Sequence, residues 1–276
     1  MTDWHLFRAA TLWRATALLA VALTAAACGG KKNLVPTNNP QPDRYLMDRG
    51  DEAMKKKRWA DAREYFRQVV DNYPQSPIRP DAKLGMGETY LNEGSTEALV
   101  MGANEFREFL TFYPTNPKAD VAQFHLALCH QKQMRAAERD QTETRDALKE
   151  YQVFFDRYPN SPLMPEVRAK WREARDRLSQ ASYRVGVHYY RIKWYPGAVG
   201  RLVPLLKNDP EYTRRDGAYF YLAESLMKVD KAAEALPYYE RLVKEFEQSE
   251  YLKKAEQRIT ELKAAPGTPK DGKGGQ

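Results

Sequence analysis

Four histidines and one short glycine cluster are the residues whose chemistry could support metal binding or phosphate transfer. His125 and His130 are five residues apart in the sequence. That spacing separates them by about 140° around a helix, so they do not form the paired ligands of an HExxH zinc site. His188 has no cysteine or acid at ligand spacing. Gly85-Met86-Gly87 lacks the Gly-Lys-Ser/Thr of a phosphate loop, and the sequence contains no GxSxG motif. We therefore predict no enzymatic activity, no metal and no cofactor.

Cys28 ends a segment that carries the features of an export signal. Two arginines precede an unbroken run of apolar and small residues from 15 to 27, which would be roughly 20 Å long as a helix. That is too short for a bilayer core of about 30 Å, and it is typical of a signal peptide. Thr24 to Cys28 resembles a bacterial lipobox, with an alanine at the position where a branched residue is usual. The resemblance implies that residues 1–27 are removed and that Cys28 is acylated. An ordinary cut after Ala27, which leaves a free thiol, is the alternative.

The segments on either side of the predicted fold have loop composition. Residues 28–42 are rich in Gly, Asn and Pro and lack periodicity, which predicts a flexible tether, and residues 265–276 predict a disordered tail. Gly29 follows the cysteine where an aspartate would resemble an inner-membrane retention signal, which favours the outer membrane. If Cys28 is acylated, Cys129 has no disulfide partner and is expected to be a small buried apolar residue.

Small and apolar residues recur with a fixed spacing in widely separated segments. Two segments share successive spacings of 12, 4, 3 and 5 residues, and a third copy begins at Ala223. The positions are Gly50, Ala62, Phe66, Val69 and Pro74 in the first segment and Gly186, Ala198, Leu202, Leu205 and Pro210 in the second. This period is typical of tetratricopeptide repeats, in which each unit is a pair of antiparallel helices.

The spacing has a physical explanation in close helix packing. Small residues at the contact allow two helix axes to approach closely, so we expect Gly50 to face Ala62 and Gly186 to face Ala198. Phe66 and Leu202, one turn further on, fill the gap toward the next repeat. A proline then ends the second helix of each unit.

Two further units keep the second-helix spacing but carry insertions. Their first-helix residues, Gly87 and Ala127, lie 15 and 20 residues before the second-helix positions. Residues 138–146 are polar and predict an exposed loop or a helical extension, and His130 is interpreted as a packing residue. The predicted fold is an all-α tetratricopeptide superhelix of five helix pairs with a C-terminal capping helix. Repeats 1–3 are assigned to residues 43–162, repeats 4–5 to 163–248 and the capping helix to 249–264.

The formal charge of +7 is spread over acids and bases that alternate along the predicted helices. No basic block with interleaved aromatics is present, so we predict no nucleic-acid partner. The densest basic run, residues 55–58, ends a predicted helix, where cations complement the helix dipole. A contact with phosphate or lipid is the alternative for that run.

Several motifs between residues 158 and 206 resemble the BamD family, lipoproteins of the β-barrel assembly (BAM) machinery. The shared features are Tyr158-Pro159-Asn160-Ser161, the Arg-Asp-Arg-Leu that ends residues 169–178, the pair Tyr189-Tyr190, and residues 197–206. The resemblance covers residues 43 to about 245. It implies a lipid anchor at Cys28 on the periplasmic face of the outer membrane. It also implies docking of repeats 4–5 on the barrel protein BamA, contact with other BAM lipoproteins, and binding of the C-terminal segments of unfolded outer-membrane proteins by repeats 1–3.

The resemblance and the repeat register name specific residues. Arg201 matches the family's arginine in the second helix of repeat four, which is implicated in docking on BamA. First-helix side chains predicted to line a peptide groove are Arg44, Met47, Asp51, Met54, Asp81, Leu84 and Glu88. Two other classes remain open: a repeat lipoprotein of another envelope machine, such as a pilus pilotin or a division or peptidoglycan adaptor, and the helical half of a cell-wall lytic enzyme.

Overall fold

The computed structural model describes residues 35, 36 and 38–264. Within this part of the chain the regular secondary structure is helical, and eleven helices form five pairs followed by a single helix. They are α1 (Pro42–Lys55), α2 (Trp59–Asn72), α3 (Arg79–Glu93), α4 (Thr96–Phe112), α5 (Ala119–Lys132), α6 (Thr142–Arg157), α7 (Met164–Arg191), α8 (Tyr195–Asn208), α9 (Arg215–Lys228), α10 (Ala232–Glu245) and α11 (Leu252–Ala264). The predicted signal peptide, Cys28, most of the tether and the tail at 265–276 lie outside the described residues.

The pairing of the helices confirms the predicted architecture. Four second helices end two residues before a proline; α2, for example, ends at Asn72 and Pro74 follows. Proline lacks the N–H that would continue the helix. The last helix, α11, covers the final pair, and Arg258 on α11 donates from Nε to the buried carboxylate of Glu224 on α9 at 2.8 Å. The prediction of five helix pairs and a capping helix is therefore correct.

One large apolar side chain per repeat lies at the centre of the stack. Each of these five side chains is at most 1% exposed: Phe66, Phe106, Tyr151, Leu202 and Tyr239. They belong to four buried clusters that follow one another along the chain. Each repeat thus packs on its neighbours, as expected for a solenoid.

The contacts of the first-helix glycines differ from the predicted pairing. A Cβ atom built on Gly50 would overlap the ring of Phe66, and one on Gly186 would lie 2.6 Å from a methyl carbon of Leu202. The nearest partner in these two repeats is therefore the bulky residue one turn after the predicted alanine, because that side chain projects back across the helix contact. Phe66 also lies 2.9 Å from a Cβ built on Gly85 of α3, which confirms that it fills the gap toward the next repeat.

Helix α7 is the longest described element and joins two repeats. It has 28 residues and is therefore about 42 Å long. Its first half packs Val167 and Ala174 against the core of α6, and its second half pairs with α8 through Gly186. The carboxylate of Asp209, which follows α8 and is 3% exposed, accepts hydrogen bonds from Arg172 at 2.6 and 2.8 Å and from Ser179 at 2.5 Å.

The polar insertion of the third repeat is a loop followed by the start of α6. The loop ends at Gln141, whose side-chain amide donates to the carbonyl oxygens of Ala136 and Arg139 at 2.9 and 3.0 Å. Thr144, which is fully buried, donates its hydroxyl to the Gln141 side chain at 2.9 Å. Of the two predicted forms, residues 138–141 form a loop and residues 142–146 belong to the helix, but Gln141 and Thr144 are buried, because their side chains fasten the loop to the helix.

Two further findings concern membrane-spanning segments and Cys129. Among the described helices, none is both long enough and apolar enough to cross a membrane. Cys129 is fully buried, and burial raises the pKa of its thiol to about 12. The prediction that Cys129 is a small buried apolar residue is confirmed.

Candidate binding surfaces

The predicted groove residues of α1 and α3 fall into three groups by exposure. Arg44 and Asp51 are exposed, whereas Leu84 is 4% exposed and belongs to the core of the second repeat, where it has little surface to offer a ligand. The half-buried members are Met47, Met54, Asp81 and Glu88. The predicted residues therefore lie on a surface that combines exposed and half-buried side chains, except for Leu84, which lies beneath it.

Carboxylates from two first helices share one electrostatic environment with Lys118. Lys118 precedes α5, and its Nζ lies 2.9 Å from an Oδ1 of Asp81. Burial, followed by the charge of Asp48, raises the pKa of Asp51. Burial also raises the pKa of Glu88, with a further contribution from Asp51 and an opposing one from Lys118. The sequence analysis did not include Lys118, because it lies in a loop outside the repeat register.

His125 on α5 completes this surface. Its Nδ1 lies 3.6 Å from the carboxylate of Glu88, is buried and has no hydrogen-bond partner in the described part of the chain. Burial lowers the pKa of His125 to about 4, so the imidazole is neutral at neutral pH. Its ring packs edge-on against Phe106 with a centroid distance of 5.4 Å. The groove therefore offers apolar side chains and neutral and acidic polar groups side by side, as an extended peptide requires.

His130 has a polar environment rather than the purely packing role predicted for it. Arg107 on α4 contacts its Nε2 at 3.0 Å, and Glu143 on α6 contacts its Nδ1 at 2.7 Å. Because a guanidinium can only donate, Nε2 must accept, and the proton of the neutral ring lies on Nδ1 and is donated to Glu143. Asp146 lies close enough to His130 and Glu143 for the three to hold an ion. Both ring nitrogens have protein partners in this arrangement, which accounts for the buried imidazole without a metal.

Arg201 lies on the exposed side of α8. It lines a shallow cavity of about 270 Å³ between α7 and α8, together with Arg175, Ser182 and Pro204. In the described part of the chain, no carboxylate lies within 4.0 Å of the Arg201 guanidinium. Since Pro204 has no N–H, it leaves the carbonyl of Gly200 without its usual helical donor. A cation without a carboxylate partner among the described residues and a carbonyl without its i+4 donor therefore lie next to each other on this helix.

Exposed apolar side chains lie at the end of the same helix pair. Ile192 and Trp194, in the turn between α7 and α8, are 56% and 53% exposed, and Val203 on α8 is 38% exposed. The Trp194 ring packs against Tyr189 with a centroid distance of 4.5 Å, and Tyr190 packs against Tyr221 of α9 at 5.2 Å. The tyrosine pair quoted from the sequence thus holds the turn in position. Exposed apolar groups beside a free arginine are typical of an interaction surface.

The family-model match and the sequence matches to known proteins agree on one family. Residues 40–235 match the family model YfiO, described as an outer membrane lipoprotein. The chain is 27% identical over 221 residues to the outer membrane protein assembly factor BamD of Caulobacter vibrioides, covering 79% of this chain and 71% of that protein. It is 23% identical over 205 residues to BamD of Xylella fastidiosa, covering 71% and 68%.

A solved structure of MamA, 14% identical in sequence, aligns with 82% of this chain and 98% of its own with a TM-score of 0.34. A tetratricopeptide protein of Thermus thermophilus aligns with the same TM-score of 0.34 and 14% identity, covering 81% of this chain and 100% of that protein. At these scores the assignment of the fold depends on the helix pairs themselves.

Proposed function

The chain belongs to the YfiO/BamD family of outer-membrane lipoproteins, and from this membership we propose that it is a lipid-anchored, non-catalytic assembly factor for outer-membrane β-barrel proteins. The observation that carries the proposal is the family match over residues 40–235, which begins before α1 and extends into α10. Nearly the whole helical stack is therefore of the family type. In this function α1 to α6 bind the C-terminal segments of unfolded clients, while α7 to α10 dock on a BamA-like barrel protein beside other BAM lipoproteins.

The proposed anchor is an acyl chain on Cys28, which would hold the stack on the periplasmic face of the outer membrane. Residues 28–34 would then connect the lipid to the described part of the chain. Docking on the barrel protein is the only other attachment in this proposal, so we expect Cys28→Ala to move the undocked protein from the membrane fraction to the soluble periplasmic fraction. Cell fractionation followed by immunoblotting measures this. Full retention of the variant in the membrane would show that the acyl chain is not the sole attachment.

The proposed docking surface is centred on Arg201. An arginine that has no carboxylate within 4.0 Å in the described part of the chain, on a helix with exposed apolar side chains, is suited to an acidic group of a partner. We expect Arg201→Glu to reduce co-purification of the BamA-like protein from detergent-solubilised membranes by at least about tenfold, since reversal of one charge in such a pair costs about 2 kcal/mol or more. The helical content and melting temperature should not change, because the side chain is exposed.

Lys207, also exposed on α8, is the matched control for this experiment. Lys207→Glu makes the same change of charge on the same helix, and we expect full recovery of the partner. Equal recovery with both variants would reject the docking role of Arg201. Equal loss with both would indicate that only the net charge of α8 matters.

The proposed client groove is the surface formed by α1, α3 and α5. Met47 and Met54 supply flexible apolar contacts, which suit partners of varied sequence. Asp51 and Glu88 supply acceptors for the backbone N–H groups of an extended client segment. Glu88 is half-buried, and burial raises its pKa; hydrogen bonds are stronger where water is partly excluded, which supports a binding role for this residue.

A further inference from the structure

A second surface lies where the stack passes from repeat three to repeat four, next to the cavity that Arg201 lines and sharing Arg175 with it. An open cavity of about 770 Å³ is bounded by α6, by the first half of α7 and by the segment that follows α8. It exists because α7 continues past α6 before α8 begins, so the space beside the first half of α7 is not filled by a further helix. Its floor is held by the buried carboxylate of Asp209, which is bonded to Arg172 and Ser179.

The lining of this cavity is strongly basic. Five cations line it against two carboxylates, which leaves a formal charge of +3, and the cations are Arg145, Lys149, Arg168, Arg172 and Arg175. Among the described residues, only Arg172 of these five lies within 4.0 Å of a carboxylate. Arg172 is paired with Asp209 and lies 3.9 Å from Glu211, so the other four cations have no carboxylate within 4.0 Å in the described part of the chain.

The other contacts of these four cations leave their charge available. Arg145 donates to the hydroxyl of Thr142 at 3.3 Å, and Arg175 donates to the carbonyl of Asn208 at 2.6 Å. The guanidinium of Arg168 lies over the ring of Phe155, 5.5 Å from its centroid. These partners are neutral. They fix the position of the cations without cancelling their charge.

The cavity also has apolar walls and amide groups. Leu148, Trp171 and Leu178 supply apolar surface, and the side chains of Gln152 and Asn208 supply donors and acceptors for a peptide backbone. Trp171 is held half-buried by an edge contact with Phe155 at a centroid distance of 6.1 Å. Cations for carboxylates, apolar walls for alternate side chains and amides for the main chain together match an extended acidic peptide.

We propose that this α6–α7 cavity binds an acidic segment of another protein, in which carboxylates alternate with apolar side chains. The terminal segments of this chain do not fit, since residues 29–34 carry two lysines and no acid, and residues 265–276 carry two lysines and one aspartate. A second copy is disfavoured by the charge of +7 on each chain. A lone phosphate group would contact only the cations and would leave the apolar walls of Leu148, Trp171 and Leu178 unused, which favours a peptide as the occupant.

The test is binding of a short fluorescein-labelled peptide of alternating glutamate and leucine, measured by fluorescence anisotropy with the full chain. We expect the wild type to bind the peptide, and the affinity to fall as salt increases. The double variant Lys149→Glu/Arg168→Glu should bind at least about tenfold more weakly, since each substitution replaces attraction by repulsion. Both side chains are exposed, so the fold should be retained, which circular dichroism checks.

The matched control is Lys228→Glu/Lys253→Glu, which reverses two exposed lysines on α9 and α11, outside the cavity. We expect this variant to bind the peptide like the wild type. Equal weakening by both double variants, equal binding of a peptide with glutamine in place of glutamate, or no binding to the wild type would each overturn the proposal. So would displacement by vesicles containing phosphatidylglycerol or by inorganic phosphate at concentrations where equal ionic strength from chloride does not displace the peptide.

The proposal is independent of the docking role of Arg201. Arg201 does not line this cavity, although Arg175 lines both, so Arg201→Glu should weaken binding of the acidic peptide much less than Lys149→Glu/Arg168→Glu does. Loss of the BamA-like partner in that variant with normal peptide binding would separate the two surfaces.

Discussion

Phe66→Ala is expected to lower the free energy of unfolding by about 3–5 kcal/mol, the range for removal of a fully buried phenylalanine ring. The ring is 1% exposed and lies between Gly50 of α1 and Gly85 of α3. Both neighbours are glycines, so no side chain on either helix can move into the space that the ring leaves. The cavity would therefore separate two repeats rather than remain within one. Urea unfolding followed by circular dichroism measures the change.

Phe112→Ala is the matched control, because Phe112 ends α4 and is 68% exposed. The same substitution should there change stability by no more than about 0.5 kcal/mol. In a solenoid the loss of one interface can also broaden the transition, because the stack then unfolds in parts. Similar midpoints for the Phe66 and Phe112 variants would show that the ring does not join the first two repeats.

Arg172→Ala is expected to lower the free energy of unfolding by about 3 kcal/mol. This substitution leaves the carboxylate of Asp209, 3% exposed, without its cation in the interior between α7 and α8. Breaking a buried pair by removing one partner costs about 3–5 kcal/mol, and the lower end applies because the Arg172 side chain is 25% exposed. Arg191→Ala, on the same helix at an exposed position, should change stability by less than about 0.5 kcal/mol.

The same pair predicts a dependence on pH that distinguishes an ion pair from simple packing. Burial would raise the pKa of Asp209, but hydrogen bonds from Arg172 and Ser179 outweigh it and hold that pKa below its ordinary value. The carboxylate therefore stabilises the fold above about pH 4, and this contribution is lost as pH falls below that value. We expect Asp209→Asn to be less stable than the wild type at pH 7 and to lose less stability between about pH 4 and pH 2. Parallel curves for the two proteins would contradict the ionic role of Asp209.

Contacts within one helix pair could be predicted from the sequence, because they repeat at fixed spacing. The positions of Phe66 and Leu202, the prolines that end second helices and the capping helix all follow from that spacing. Which atoms meet at Gly50 could not be predicted, since this depends on how far the Phe66 side chain reaches across the contact. The burial of Leu84 likewise depends on the rotation of α3 relative to α4, which a register of small residues leaves undetermined.

Contacts between residues that are far apart in the sequence were not predictable from local patterns. Arg172 and Asp209 are 37 residues apart, and Lys118 reaches Asp81 on a different repeat. The four cations of the α6–α7 cavity come from two helices whose relative position depends on the length of α7. Nothing in their own spacing marks them as a group, and only the unpaired state of their charges distinguishes them from an ordinary solvated face.

One family motif has a structural rather than a binding role. Ser161, in Tyr158-Pro159-Asn160-Ser161, donates its hydroxyl to Asp120 at the start of α5 at 2.6 Å. Ser76 and Ser249 make the same bond to Asp43 and Asp216 at 2.6 and 2.7 Å. The loop after each of these second helices is thus fastened to the first turn of the first helix in the same repeat. The motif therefore supports recognition of the family without marking a partner surface.

The length of α7 has a mechanical consequence. A helix of about 42 Å resists bending, and both halves of this one are fixed. The first half packs on α6 and is bound to the residue after α8 by the Arg172–Asp209 pair, and the second half packs on α8 through Gly186. A tilt that a partner imposes on α8 is therefore transmitted along α7 and rotates the first half of α7 against α6. We therefore expect the repeats on the two sides of α7 to move together, so that a displacement of one is transmitted to the other.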